Sequence, residues 1–256
     1  MTLKPSLRHM LRAGSALLAQ VLLPQNCVLC NLQSGNKPLC ESCAKDLPRL
    51  NGLQCERCAL PLNIRADGLP LACPDCAHHT PAFDAATAVW SYGFPIDTLI
   101  QDFKYGHHLY LASFFGQHLA AAVEAQWLKQ KAHACPDLII PMPLHPQRLQ
   151  QRGFNQAAEI ARHAAKQLNV PWSADTLYRL HDTAAQAGLR REERWANLRG
   201  AFSCTKPLLG KHILLIDDVL TTGASLSACA EVLRYAGASR VDVAVLARTP
   251  EPGHIQ

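Results

Sequence analysis

Four closely spaced cysteine pairs constrain the fold of this chain more than any other feature of its sequence. Each pair has the spacing C-x-x-C, and the pairs are Cys27/Cys30, Cys40/Cys43, Cys55/Cys58 and Cys73/Cys76. This spacing places two thiolates on one tight turn, where a tetrahedral zinc ion binds both at about 2.3 Å. Four pairs therefore predict two four-cysteine zinc sites. Because four thiolates leave no coordination position for a substrate, both sites are expected to be structural.

The alternative interpretation is a disulfide framework of the kind found in small secreted domains. Three more cysteines, Cys135, Cys204 and Cys229, bring the total to eleven, and an odd number is awkward in an oxidising compartment. Zinc is therefore favoured, and it indicates a reducing, cytoplasmic location. Pairing of neighbouring motifs is the simpler arrangement of ligands. An interleaved cross-brace uses the same eight cysteines and stays open.

The segment before the first cysteine allows two interpretations. Its basic residues ahead of an apolar stretch are typical of a signal peptide. Its leucine spacing also fits an amphipathic helix, through Leu7, Leu11, Leu18 and Leu22. We predict an amphipathic helix over residues 1–26, followed by a double zinc-ribbon domain over residues 27–84. No apolar run reaches the roughly 18 residues that a membrane-spanning helix needs.

Residues 85–256 alternate between strand-like and helix-like patterns. Strands are predicted at 85–92, 137–141, 212–217 and 241–247, and helices at 109–130, 154–168 and 225–237. The alternation predicts an α/β domain, with a parallel sheet and helices on both faces. Ligands of such sheets bind outside the carboxyl ends of the strands. The residues that follow Pro141 and those from Asp217 onward are therefore the candidates for a site.

One strand end carries an unusual combination of residues, ILLIDDVLTTGAS, over residues 213–225. The adjacent carboxylates of Asp217 and Asp218 repel each other and lose hydration when buried, so packing alone does not explain them. Small residues then lead into a helix, where their N–H groups and hydroxyls suit a phosphate: Thr221, Thr222, Gly223, Ala224 and Ser225. A sugar phosphate suits both the acid pair and the small residues, because its hydroxyls donate to the carboxylates while its phosphate lies in the loop.

The other candidate strand end is proline-rich and basic. A stiff turn contains Pro143 and Leu144, and Arg148 and Arg152 follow it. Residues 141–200 hold nine Lys and Arg against five Asp and Glu, within a chain of formal charge +5. An anionic ligand or a nucleic acid is therefore the natural partner of this region.

The stretch ILLIDDVLTTGAS resembles the signature with which type I phosphoribosyltransferases bind phosphoribosyl pyrophosphate (PRPP). Together with the four C-x-x-C pairs and PMPL…RGFNQA, it closely resembles the ComF-type competence proteins over about residues 24–248. That family joins a double zinc ribbon to a phosphoribosyltransferase domain. The resemblance implies two zinc ions, PRPP with Mg²⁺, ribose hydroxyls held by Asp217 and Asp218 as catalytic residues, and a 5′-phosphate in the 221–225 loop. It also implies a pyrophosphate side near Pro143, Leu144, Arg148 and Arg152.

Two further stretches resemble parts of the same family. FKYGH, residues 103–107, supplies Lys104 and Tyr105 as weaker site candidates. QAGLRREERWANLRGAF, residues 186–202, carries four arginines: Arg190, Arg191, Arg194 and Arg199. This segment has three interpretations, which are a mobile hood over the substrate, a surface for nucleic-acid phosphates and a solvated loop.

The sequence therefore supports two classes of function. An enzyme of this family would transfer a 5-phosphoribosyl group from PRPP and release pyrophosphate, with a link to DNA uptake, natural transformation and use of external DNA. No residue identifies the acceptor. A binding protein would instead sense PRPP, bind single-stranded DNA, or dock on another competence protein such as a helicase. Only 6% of the residues are aromatic, which weakens the expectation of base stacking.

Overall fold

The computed structural model describes residues 25–62, 72–106, 108–129, 135–181 and 200–250. The chain divides into two compact units, Met1–Leu47 and Pro48–Gln256. The N-terminal helix predicted over residues 1–26 lies almost entirely outside the described residues, and so do Arg190, Arg191, Arg194 and Arg199. The domain boundary near residue 84 stays a prediction. None of the described helices has both the length and the apolar character required to cross a membrane.

The described part of the first unit is a hairpin followed by one short helix. Strands β1 (Gln25–Asn26) and β2 (Gln33–Gly35) pair antiparallel, and helix α1 (Glu41–Lys45) follows them. This part of the chain contains the first two cysteine pairs. Short elements of this kind bury little apolar surface, so the cysteines are the groups best able to hold them together.

The second unit contains the remaining elements. In chain order they are α2 (Pro74–His78), β3 (Ala85–Ser91), α3 (Ile96–Tyr105), α4 (Leu111–Lys129), β4 (Leu138–Pro141), α5 (Pro146–Arg152), α6 (Gln156–Leu168), β5 (Leu177–Arg179), β6 (Phe202–Cys204), β7 (His212–Leu220), α7 (Ala224–Tyr235) and β8 (Arg240–Arg248). Strands β3, β8, β7 and β4 form a parallel sheet in that order. Strands β5 and β6 form a separate antiparallel pair.

Helices cover both faces of the parallel sheet, which confirms the predicted α/β class. Helix α7 packs on one set of strand side chains, which includes Ile213, Leu215 and Val243. Helices α4 and α6 pack together and cover the strands from the other side. Their approach requires Gly116, because a Cβ atom there would lie 2.5 Å from the Cβ of His163. The two central strands are thus buried on both faces, and this explains their nearly continuous apolar sequence.

The structure corrects the predicted end of β7. The sequence predicts that this strand ends at Asp217, but it continues to Leu220. The continuation follows from its neighbour, since β8 is equally long and Leu220 still pairs with Arg248. Asp217 and Asp218 therefore lie inside the strand. Helices α3 and α5 and the β5–β6 pair were also not predicted from the sequence pattern.

Candidate functional site

An open notch lies at the carboxyl edge of the parallel sheet. Strand β4 ends where Pro141 pairs with Ile216, and the N–H of Met142 donates to the Ile216 carbonyl at 2.7 Å. Beyond this point β7 continues from Asp217 to Leu220 with a strand partner on the β8 side. The chain of β4 meanwhile turns away into the loop that contains Pro143, which is buried. The two acids thus occupy the position where ligands of α/β sheets bind.

Asp218 is paired with a lysine from a different part of the chain. The Nζ atom of Lys104, in the last turn of α3, lies 2.9 Å from Oδ2 of Asp218. Their side chains are 19% and 11% exposed. Burial alone would lower the pKa of Lys104, but the carboxylates of Asp218 and Asp217 outweigh it and raise this pKa. Lys104, a weaker candidate in the sequence, is therefore a charged member of the site.

Asp217 has different surroundings, as expected for adjacent residues of a strand, whose side chains alternate between faces. Its Oδ1 atom accepts a hydrogen bond of 2.8 Å from the N–H of Asp218. Burial, and then the Asp218 charge, raise the pKa of Asp217 to about 7, while that N–H, Lys104 and Arg179 offset part of the increase. Asp217 retains some exposed surface. It is thus a carboxyl group that changes charge near neutral pH at the mouth of the notch.

Residues 103–105 (FKY) and residues 152–154 (RGF) contact each other beside this acid pair. The rings of Phe103 and Phe154 pack with their centroids 5.5 Å apart. The Nη2 atom of Arg152 donates to the Tyr105 hydroxyl at 2.8 Å, and its guanidinium lies 4.9 Å from the centre of that ring. The positive charge of Arg152 also acts on Lys104. Arg152 is therefore held close to the acids.

The other residues predicted for the pyrophosphate side lie, like Arg152, in the segment that connects β4 to α6. Leu144 is half-buried in the loop between β4 and α5. Arg148 precedes Arg152 by four residues on α5, so the two side chains share a face of that helix. Asn155 fixes the end of this connection, because its Nδ2 donates to the Met142 carbonyl at 3.0 Å while its Oδ1 caps α6.

The predicted phosphate loop connects β7 to α7. Thr221 and Thr222 are exposed, and Gly223 caps the helix with φ of +78°. This left-handed conformation favours glycine, and a Cβ atom at Gly223 would also lie 3.4 Å from a methyl carbon of Leu220. The N–H groups of Ala224 and Ser225, in the first turn of α7, have no acceptor one turn earlier in the helix. That of Ala224 donates to the Thr222 hydroxyl at 3.4 Å. N–H groups at the start of a helix are the donors that the predicted phosphate site requires.

The first cysteine pair of each cluster forms the same kind of turn. In the first cluster the N–H of Cys27 donates to the Leu32 carbonyl at 2.7 Å, and the N–H of Asn31 donates to the Cys27 carbonyl at 2.8 Å. In the second cluster the equivalent bonds join Cys55 to Leu60 and Ala59 to Cys55, each at 2.8 Å. Asn31 and Ala59 have positive φ angles of 61° and 56°. Both turns therefore have the form of zinc knuckles.

The second pair of each cluster opens a short helix. Cys40 precedes α1 and Cys73 precedes α2 as the N-terminal cap. The second cluster is more deeply buried than the first, and its four cysteines belong to the hydrophobic core of the second unit. Hydrogen bonds from the thiols of Cys58 and Cys76, with backbone N–H groups, lower the pKa of Cys55 despite its burial. The thiolate is the form that binds zinc.

Both clusters fit a zinc ion. Within each one, the four Sγ atoms lie within 4.8 Å of one another, and the Sγ distances of Cys30 to Cys40 and of Cys58 to Cys73 are both 3.6 Å. A tetrahedral ion with bonds of about 2.3 Å separates its sulfur ligands by about 3.8 Å. Each cluster joins two neighbouring motifs, which is the simpler of the two arrangements that the sequence left open. All eleven cysteines lie among the described residues and none forms a disulfide there, as the zinc interpretation requires.

Comparisons with known proteins agree with these two kinds of site. The family described as "Double zinc ribbon domain" matches residues 18–78, and the family described as "Phosphoribosyl transferase domain" matches residues 155–253. The chain is 31% identical over 229 residues to "DNA utilization protein YhgH" of Escherichia coli O157:H7, covering 89% of this chain and 98% of that protein. It is 29% identical to "Competence protein F" of Haemophilus influenzae, covering 87% and 96%.

Among solved structures, the chain is similar to a hypoxanthine phosphoribosyltransferase from Staphylococcus aureus. The identity is 16%, the TM-score is 0.36, and the match covers 56% of this chain and 70% of that one. The family assignment rests on the sequence relatives, which align over almost their full length. The chain therefore belongs to the ComF family of competence and DNA utilization proteins, in which a double zinc ribbon is joined to a phosphoribosyltransferase domain.

Proposed function

We propose that the chain binds PRPP with Mg²⁺ in the notch at the end of β7 and transfers its 5-phosphoribosyl group to an acceptor. The bond between ribose C1 and the pyrophosphate oxygen breaks, and pyrophosphate leaves with the bonding electrons. An acceptor atom forms the new bond to C1 and loses its proton to solvent. One observation carries the proposal. Asp217, a carboxyl group whose pKa is raised to about 7, is followed within a few residues by the loop 221–225, which leads into the N-terminus of α7.

Each part of the notch has a role in this proposal. Asp217 accepts hydrogen bonds from the ribose hydroxyls, and Asp218 holds Lys104 at the site. The 221–225 loop binds the 5′-phosphate through backbone N–H groups. Arg152, with Arg148 one turn away, faces the pyrophosphate. Mg²⁺ bound together with PRPP would supply further neutralisation of the pyrophosphate charge on the side that Arg152 faces. Positioning and electrostatic stabilisation then supply most of the catalysis.

Affinity for Mg·PRPP is expected to rise with pH as Asp217 ionises. The raised pKa of about 7 means that Asp217 is protonated in more acidic solution and is then a poorer acceptor for ribose hydroxyls. Below that pKa, affinity should increase by up to about tenfold per pH unit. Calorimetric titration from about pH 6 to about pH 8 measures this dependence. The phosphates of the ligand also titrate, and the Asp217→Asn variant shows their contribution alone. If affinity changed with pH equally steeply in wild type and in this variant, the pH dependence would not come from Asp217.

The raised pKa of Asp217 also makes the stability of the folded chain depend on pH. Asp217 has a higher pKa in the folded chain than its ordinary value of 3.8, so the folded state binds more protons between the two values. The contribution of this group to stability is therefore lost as pH rises from about 4 to about 7. Ligand binding reverses this loss, since the hydroxyls stabilise the ionised form.

A pyrophosphate-release assay tests the transfer reaction. Purified protein is incubated with Mg²⁺ and PRPP, together with nucleobases, nucleosides or single-stranded DNA as acceptors. Acceptor-dependent release above that of the Asp217→Asn/Asp218→Asn variant supports a phosphoribosyltransferase. Binding of PRPP without release for any of these acceptors would instead favour a PRPP-sensing protein. We place this activity in DNA utilization and in the cytoplasm, supported by the names of the relatives and by two cysteine clusters that fit zinc.

One observation favours a second candidate function, the binding of single-stranded nucleic acid. A cleft of about 340 Å³ is lined by Arg162, His163, Lys166 and Trp172, together with two apolar residues. Trp172 is 38% exposed, so one aromatic face lies beside basic side chains, as in single-strand binders. We expect single-stranded DNA to quench Trp172 fluorescence, with an affinity that falls steeply with salt. Quenching that is absent, or insensitive to salt, would exclude this role for the cleft.

A further inference from the structure

Strand β8 ends in a buried cation, Arg248. The residue is only 9% exposed, and it is the last residue of a mostly apolar strand. In the described part of the chain no carboxylate forms an ion pair with it. A buried charge is unfavourable unless hydrogen bonds or an opposite charge compensate it. The hydrogen bonds of this guanidinium therefore indicate its structural role.

One side of the guanidinium holds the start of the phosphate loop. Its Nη1 atom lies 3.1 Å from the Leu220 carbonyl oxygen, 2.8 Å from that of Thr221 and 2.7 Å from that of Thr249. The C=O and N–H of a trans peptide point in opposite directions. Because the carbonyls of Leu220 and Thr221 point toward Arg248, the N–H groups of Thr221 and Thr222 point away from it. This orientation turns two amides outward, where an anion can reach them.

The other side of the same group holds the second zinc knuckle. The Nε atom of Arg248 donates to the Cys58 carbonyl at 2.9 Å, and its Nη2 lies 4.0 Å from the Cys58 sulfur. Ala59, the next residue, is completely buried. A zinc ion with four thiolates has a formal charge of about −2, which favours a neighbouring cation. The knuckle therefore fixes the guanidinium through both a hydrogen bond and charge.

We propose that Arg248 is a positioning residue that joins the second zinc knuckle to the phosphate loop. The folded, metal-bound knuckle holds the guanidinium, and the guanidinium holds the carbonyls of Leu220 and Thr221. The zinc ion thereby helps to support the anion site, although it does not contact the bound anion itself. This inference rests on the proposed function for the identity of the ligand, and on the hydrogen bonds alone for the coupling.

The Arg248→Lys variant tests the coupling, because lysine keeps the charge but lacks the planar set of donors that reaches both sides. Arg240→Lys is the matched control, since Arg240 is the first residue of the same strand and binds Asp242. Hydrogen exchange of a peptide over residues 219–226 is measured without ligand. We expect exchange to be about tenfold faster in Arg248→Lys and unchanged in Arg240→Lys. Equal exchange in wild type and Arg248→Lys would overturn the proposal.

Two further measurements separate this inference from the proposed function. Arg248→Lys should weaken Mg·PRPP binding about tenfold, within the usual range of coupling between sites, and should release zinc to a chelator faster. If wild type binds Mg·PRPP and Arg248→Lys binds it equally well, the positioning role is wrong while the proposed function stands. If wild type binds no Mg·PRPP, the proposed function fails, and the hydrogen-exchange result still decides the coupling.

Discussion

The Asp217→Asn/Asp218→Asn double variant is expected to bind Mg·PRPP at least about 100-fold more weakly than wild type. Asp217→Asn removes the charged acceptor of the ribose hydroxyls, which is worth about 1.5–3 kcal/mol. Asp218→Asn removes the charge that holds Lys104 at the site, so the combined effect is large. Isothermal titration of Mg·PRPP measures it. Asp175→Asn is a suitable control, because Asp175 is an exposed acid paired with Lys206, and it should leave the affinity unchanged.

The two single variants should differ in stability. Asp217→Asn removes a carboxyl group whose ionisation is disfavoured by the fold, so its melting temperature at neutral pH should equal or exceed that of wild type. Asp218→Asn leaves the mostly buried Lys104 without its 2.9 Å partner, and its melting temperature should fall. Unchanged affinity in the double variant would show that the ribose does not bind at these acids.

The Cys58→Ser variant is expected to lose one zinc ion per chain and several kcal/mol of stability in the second unit. Its four-cysteine cluster is part of the core that includes Phe83 and Ala86, so the knuckle and the start of β3 lose their packing together. Loss of a structural metal is among the few single changes that exceed about 4 kcal/mol. Metal analysis and thermal unfolding measure the two effects.

Cys135→Ser provides the control for this variant. Cys135 is exposed and belongs to neither cluster, so its replacement should leave both the zinc content and the unfolding temperature unchanged. Retention of two zinc ions by Cys58→Ser, with wild-type stability, would contradict a structural role for the second cluster.

Apolar patterns were sufficient to predict the sheet but not the details of its site. The strands at residues 212 and 240 are recognisable because burial on both faces requires continuous apolar sequence. The end of β7 at Leu220 was not predictable in this way, since it depends on the length of the neighbouring strand. Helix α5 (Pro146–Arg152) was missed because its polar sequence has no apolar period.

Long-range pairs account for the rest of what was missed. Lys104 reaches Asp218 from a separate helix, and no local pattern indicates such a contact. Arg248 did carry a signal, because an arginine that ends an apolar strand raises the same question as two aspartates that end one. The cysteine spacing predicted all eight candidate ligands, since each pair depends only on a local turn. It left the pairing of the motifs open, and the structure brings neighbouring motifs together.

A crystal structure of the protein with Mg²⁺ and PRPP tests the central claim most directly. We expect the 5′-phosphate to lie on the backbone N–H groups of residues 221–225, with the ribose hydroxyls within hydrogen-bond distance of Asp217. We also expect the pyrophosphate to lie toward Arg152. An empty notch at saturating PRPP, or PRPP bound at another surface, would show that PRPP does not bind at the end of β7.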